Sequence, residues 1–149
     1  MAKAMRISAK AEYACAAMLE LAASYGEPQP VRIKAIADNQ GISARFLVQI
    51  LLQLKTAGLV ASVRGASGGY QLARAPEAIT LAAIINALDD PKVEPRQPAL
   101  ARAGRSPAVE VLLGVWQEIH EQEQRILEGL SLAELLRRAQ SSNALAYQI

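Results

Sequence analysis

The chain has 149 residues, 52% of them hydrophobic, and a formal net charge of +2; that is enough for one domain with a buried core, or one domain with an added dimerisation element. Its single cysteine excludes an internal disulfide and agrees with a reducing compartment. No apolar run nears the roughly 18 residues that span a bilayer, and Glu12 and Glu20 bracket the only short apolar stretch near the N-terminus, so a soluble, cytoplasmic protein with no membrane partner is expected.

Ser8 is placed to cap a first helix running to about Tyr25, with Ala11, Ala14, Cys15, Met18, Ala22 and Tyr25 on one face. The segment Gly26-Glu27-Pro28-Gln29-Pro30 ends it, because its two prolines cannot donate to a helical ladder. A second, short helix over about Ile33–Asn39 follows, and Gly41 supplies the turn into a third, as a helix-turn-helix requires. Arg32 and Lys34 stand near the positive end of that second helix, where a phosphate would be met.

The third helix is capped by Ser43. Leu47, Ile50, Leu51, Leu54 and Gly58 recur at three- and four-residue steps, so they share a stripe that faces a core. The opposite face carries Arg45, Gln49, Leu52 and Thr56, with Val48 on its flank. Arg45 and Gln49 are side chains that donate hydrogen bonds to base edges in a major groove, whereas Val48 can touch a thymine methyl. After Gly58 the pattern turns extended: Val60-Ala61-Ser62-Val63-Arg64, the turn Gly65-Ala66-Ser67-Gly68-Gly69, then Tyr70-Gln71-Leu72-Ala73. This predicts a hairpin with Arg64 at its tip and Gly68 in its turn, a wing able to reach a phosphate or a narrow minor groove.

Several of these runs resemble the Rrf-two family of bacterial winged-helix transcriptional regulators: Met5-Arg6-Ile7-Ser8, Glu12-Tyr13-Ala14, Ile36-Ala37, Gly41-Ile42-Ser43, Ala57-Gly58-Leu59-Val60 and Ser62-Val63-Arg64-Gly65 through Gly68-Gly69-Tyr70-Gln71-Leu72-Ala73. The resemblance is dense over about the first 90 residues and is carried most specifically by SVRGASGGYQLA. It implies a dimeric DNA-binding repressor or activator. For a DNA-binding dimer, Arg6 and Lys10 join Arg32 and Lys34 as phosphate candidates. Charge agrees: residues 1–75 hold nine basic against four acidic side chains, and residues 76–149 seven against ten.

Thr80 is placed to cap a short helix carrying Leu81, Ile84, Ile85 and Leu88, which Asp89-Asp90-Pro91 stops. Residues 90–106 show no apolar periodicity and read as a loop, at the position where cluster-binding members of the family carry three closely spaced cysteines. None stands there, and proline, glutamine or arginine cannot replace a thiolate on iron. No cofactor and no metal are therefore expected, and Cys15 and His120 are left as the remaining soft or imidazole groups, Cys15 with a core role or a redox role. The signal stays open to a small-molecule or protein effector.

Ser106-Pro107 opens a long helix. Val109, Leu112, Trp116, Ile119, Ile126 and Leu130 form a seam over about three heptads, with Glu123 at its one polar position. Such a stripe is expected to pair with a second copy. Ser131-Leu132-Ala133-Glu134 is a capping box for a last helix ending near Gln140, with a frayed tail from Ser141.

The sequence thus reads as mainly α with a small β-wing: a winged helix-turn-helix at 1–89, a loop at 90–106, and a dimerisation helix with tail at 107–149. Two copies would set recognition helices in successive major grooves of a palindromic duplex. A protein-binding adaptor on the same fold is the second reading, favoured by Val48 and Leu52. An enzyme is not expected: there is no carboxylate–histidine constellation, and the glycine turn lacks the Gly-Lys-Ser/Thr ending of a phosphate-binding loop.

Overall fold

In the computed structural model, residues 7–66, 68–88 and 106–148 are described. Helix α1 (Ala9–Ala23) begins where the Ser8 hydroxyl accepts the Ala11 amide at 3.1 Å. Its buried face is Ala11, Ala14, Ala17, Met18, Leu21 and Ala22. Ala17 and Leu21 thus join the stripe read from the sequence, while Cys15 sits at its margin, half-buried against the core. Tyr25 does not join it. The helix stops at Ala23, the turn into Gly26 carries Tyr25 outward, and its side chain is 51% exposed.

Helices α2 (Ile33–Gln40) and α3 (Ala44–Thr56) form the helix-turn-helix. Gly41 between them has φ +67°, left-handed backbone that glycine adopts without steric cost. Ser43 caps α3 by accepting the Phe46 amide at 3.1 Å. A carboxylate missed as a structural tie fixes the other end of α2: Glu20 on α1 accepts from Asn39 at 3.3 Å and from Gln40. Leu47, Ile50, Leu51 and Leu54 are fully buried, each contributing about 1.5–3 kcal/mol by leaving water. They hold α3 by its inner stripe, which leaves the outer face free.

Strands β1 (Val60–Val63) and β2 (Gly69–Leu72) pair antiparallel from Val60↔Leu72 to Val63↔Gly69. Buried Val60, Tyr70 and Leu72 fasten the ribbon to the core. The proline segment before α2 does more than end a helix. Val31 lies beside β2 and exchanges two backbone hydrogen bonds with Tyr70, at 2.9 and 2.8 Å, so the wing rests on a third extended strand one residue long.

A short 3-10 turn at Pro76–Ala78 leads to α4 (Leu81–Ala87), capped by the Thr80 hydroxyl. Helix α5 (Pro107–Glu128) starts at the Ser106 cap and runs 22 residues, about 33 Å. None of its residues is buried. Helix α6 (Leu132–Gln148) then returns to the head and packs on α1. Its start is stitched to that of α4: the Leu81 amide donates to Leu130 at 2.9 Å and the Leu132 amide to Ile79 at 2.9 Å. Leu132 is fully buried in the same core as α1, α3 and α4. Instead of fraying at Ser141, α6 continues to Gln148, because no glycine or proline follows Gly129 and Ala144, Leu145 and Ala146 favour the helix. The loop expected at 90–106 lies outside the described residues except for Ser106, as does Arg6.

Candidate nucleic-acid interface

The outward face of α3 presents Arg45, Gln49 and Leu52 to solvent, Leu52 at 50% exposure, with Val48 half-buried beside them. Thr56, placed on this face by the sequence, is exposed, but its hydroxyl donates to the Leu52 carbonyl at 2.9 Å. The Ser43 oxygen likewise accepts from Phe46, leaving its hydroxyl proton for an outside acceptor. Lys55, which the sequence did not single out, donates to the Ser62 hydroxyl at 2.8 Å and joins the last turn of α3 to β1. That solvent-exposed bond links the end of α3 to the wing.

Arg64 stands exposed just beyond β1, next to Gly65. The turn is as tight as backbone permits: a methyl on Gly68 would lie 2.9 Å from the Gly65 carbonyl oxygen and closer still to that of Val63. Between wing and α2 lies an open hollow of about 460 Å³ lined by Arg32, Ser62, Arg64, Gly68 and Tyr70 among others. The fold therefore brings Arg32, Arg64 and Gly68 together, although 36 residues of chain separate the first from the last. Arg32 is not idle there: its guanidinium donates to the Ala66 carbonyl at 3.2 Å. Lys34 is exposed on α2 and Lys10 is partly exposed on α1.

Among the described residues the ion pairs are those of Arg137 and Arg138 with Glu134, all on α6. Arg45, Arg64 and Lys34 stand outside them and are exposed, without an acidic partner among the described residues. This is an arrangement a polyanion can neutralise.

The second exposed surface is the apolar stripe of α5. Leu112, Trp116, Ile119 and Ile126 lie on it, the last at 61% exposure, and it is wider than the seam read from the sequence because Val111 and Val115 extend it. Val109, in the first turn of α5, is half-buried. Glu123 sits at the edge, with Oε1 screened from solvent and without a hydrogen-bond partner in the described residues.

Cys15 has a different environment. Burial pushes its thiol up to about 11 from 9.0, so at pH 7 the reactive thiolate is about a hundredfold scarcer than in an exposed cysteine. Alkylation of the native protein by a thiol reagent at pH 7 is expected to run about a hundredfold slower than in denaturant; equal rates would show the thiol to be free. The folded chain holds this proton more tightly than the unfolded chain. Its contribution to stability is thus complete below pH 9 and lost as pH rises through about 11.

Residues 7–138 match the sequence profile of Rrf2, described as an iron-dependent transcriptional regulator family. The chain belongs to the Rrf2 family. Among its relatives are the HTH-type transcriptional regulators CymR of Bacillus subtilis, 37% identical over 88% of this chain and 89% of that protein, and IscR of Erwinia tasmaniensis, 36% identical over 89% and 79%. The fold agrees. The solved structure of T. potens IscR superposes with a TM-score of 0.76 at 34% identity, covering 95% of this chain and 93% of the other. As an Rrf2 member the chain is a winged helix-turn-helix transcriptional regulator. No helix among the described residues is long and apolar enough to cross a membrane.

Proposed function

We propose that this Rrf2 protein binds double-stranded DNA as a homodimer on a palindromic operator and represses transcription there. The observation that carries the reading is the surface shared by α3 and the wing, where Arg45, Gln49 and Arg64 are exposed and the two arginines have no acidic partner among the described residues. Gln49 and Arg45 read bases, Val48 supplies a thymine-methyl contact, and Arg64 enters the minor groove beside the close turn at Gly68. Ser43, Lys10 and Lys34 are phosphate donors, with Arg6 beyond the described residues. The stripe of Leu112, Trp116, Ile119 and Ile126 joins two copies, which puts two recognition helices about 34–36 Å apart. A dimer so placed occupies the duplex and excludes other proteins from it.

The donor set bears on the family's iron. A thiolate-held cluster does not fit this chain, because its one cysteine is in α1, half-buried against the core, and residues 89–106 contain neither cysteine nor histidine. The signal for this regulator therefore does not pass through a three-cysteine iron-sulfur cluster.

Selection of bound fragments from a genomic library by the purified protein, followed by in vitro transcription from a recovered site, tests the reading. Inverted repeats and a transcript that falls as protein is added are expected; recovery of no preferred sequence, or a transcript that rises, refutes specificity or repression respectively. Arg64→Ala is expected to weaken binding to a recovered site about 10- to 100-fold while leaving the dimer intact, measured by fluorescence anisotropy and light scattering. Unchanged affinity would remove the wing from the interface. Leu52, half exposed on the recognition face, favours a second reading as a protein-binding adaptor. Nuclease treatment separates the two, since an adaptor keeps its partner when nucleic acid is gone.

A further inference from the structure

The wing is held at its tip as well as along its strands. Val31 is bonded twice to Tyr70, and the backbone of Val31 and Arg32 passes so near Gly69 that a methyl there would lie 3.1 Å from the Arg32 Cα. Arg32 then crosses to the turn, its Nη2 3.2 Å from the Ala66 carbonyl oxygen. It occupies the N-cap of α2, a position that favours serine, threonine, aspartate or asparagine, yet its side chain makes no capping bond. A long cation at that position, directed at a carbonyl 34 residues away, gives up a helix cap for a bond to the wing.

We propose that Arg32 is a positioning residue that latches the wing turn to the start of α2, and so sets where Arg64 stands relative to the recognition helix. This departs from the simpler role of Arg32 as a phosphate contact and rests on the DNA-binding reading for its consequence, but the latch itself exists without DNA. The two roles differ in what they predict. A latch to one carbonyl depends on the reach and direction of the guanidinium Nη2, which the ammonium of lysine does not reproduce; a phosphate contact retains the charge term that lysine preserves.

The test uses the full-length protein and its Arg32→Ala and Arg32→Lys variants. Without DNA, amide exchange at Gly68 and Tyr70, whose N–H groups donate to Gly65 and Val31, is followed by NMR. Arg32→Ala is expected to speed exchange at these two amides about tenfold while α1 and α3 amides and the thermal midpoint stay as in the parent. With a fluorescein-labelled duplex recovered from a random pool by the parent protein, both variants are expected to bind about tenfold more weakly, with the slope of log affinity against log salt unchanged. Parental exchange at Gly68 and Tyr70 overturns the latch. So does parental affinity of Arg32→Lys combined with a salt slope in Arg32→Ala lower by about 0.9, the signature of one lost phosphate contact. If no duplex is recovered, the DNA reading fails and the exchange experiment alone decides the latch.

Discussion

Glutamate at both Trp116 and Ile119 is expected to reduce the mass in solution from two chains to one of 15.9 kDa, and to abolish detectable binding to a palindromic site. Both side chains lie on the exposed stripe of α5, a helix with no buried residue of its own. An apolar surface of that length is stable in water when a second one covers it. Burying the Trp116 and Ile119 side chains from both copies contributes about 1.5–3 kcal/mol per side chain, and an unpaired carboxylate in their place adds a desolvation cost. The dimer is therefore expected to weaken by more than about a thousandfold. Sedimentation velocity checks the mass and anisotropy checks the DNA, while amide protection in α1 and α3 should be unchanged because the head's core lies elsewhere. A parental mass for the double variant would refute pairing through α5.

The second large effect is expected at Gly69→Ala. Its Cβ would stand 2.6 Å from the Val31 carbonyl carbon, and the obstacle is backbone that is itself bonded to Tyr70 and cannot swing aside as a side chain would. Overpacking of this kind costs about 1–3 kcal/mol, and the lack of a yielding side chain puts this site at the upper end. In a chain of this size the thermal midpoint should fall by about 5–10 °C. DNA affinity should fall as well, since the strand that moves is the one that carries the wing. Gly114→Ala is the internal control: it is a mid-helix position on α5 with nothing within 4 Å, so alanine should stabilise by about 0.5–1 kcal/mol. A Gly69→Ala protein as stable as the parent would show that Val31 is not fixed against β2.

The recognition helix was legible because its signals are local. A capping serine, a three-and-four stripe of leucine and isoleucine, and the polar residues opposite all lie within 14 residues, and the helix formed where they predict it. The wing was half legible. Its glycines and β-branched residues announce a hairpin, but nothing nearby in sequence says that Val31 pairs with Tyr70 or that Arg32 reaches Ala66. Those contacts join segments more than 30 residues apart, and a single sequence carries no periodicity that reports them. Glu20 shows the same limit, since a lone acid on a helix gives no sign that it will bind the far end of another. At Tyr25 the error has another cause: the spacing was right for a helix that had already ended.

The stitching of Leu81 to Leu130 and of Leu132 to Ile79 has a mechanical consequence. The base of the long helix is riveted to the short helix beside the recognition element, so in a two-fold pair a tilt between the two rods becomes a change in the stride between the two reading heads. Any agent that wedges those rods apart, without touching either head, would then shift which operator spacing the molecule fits.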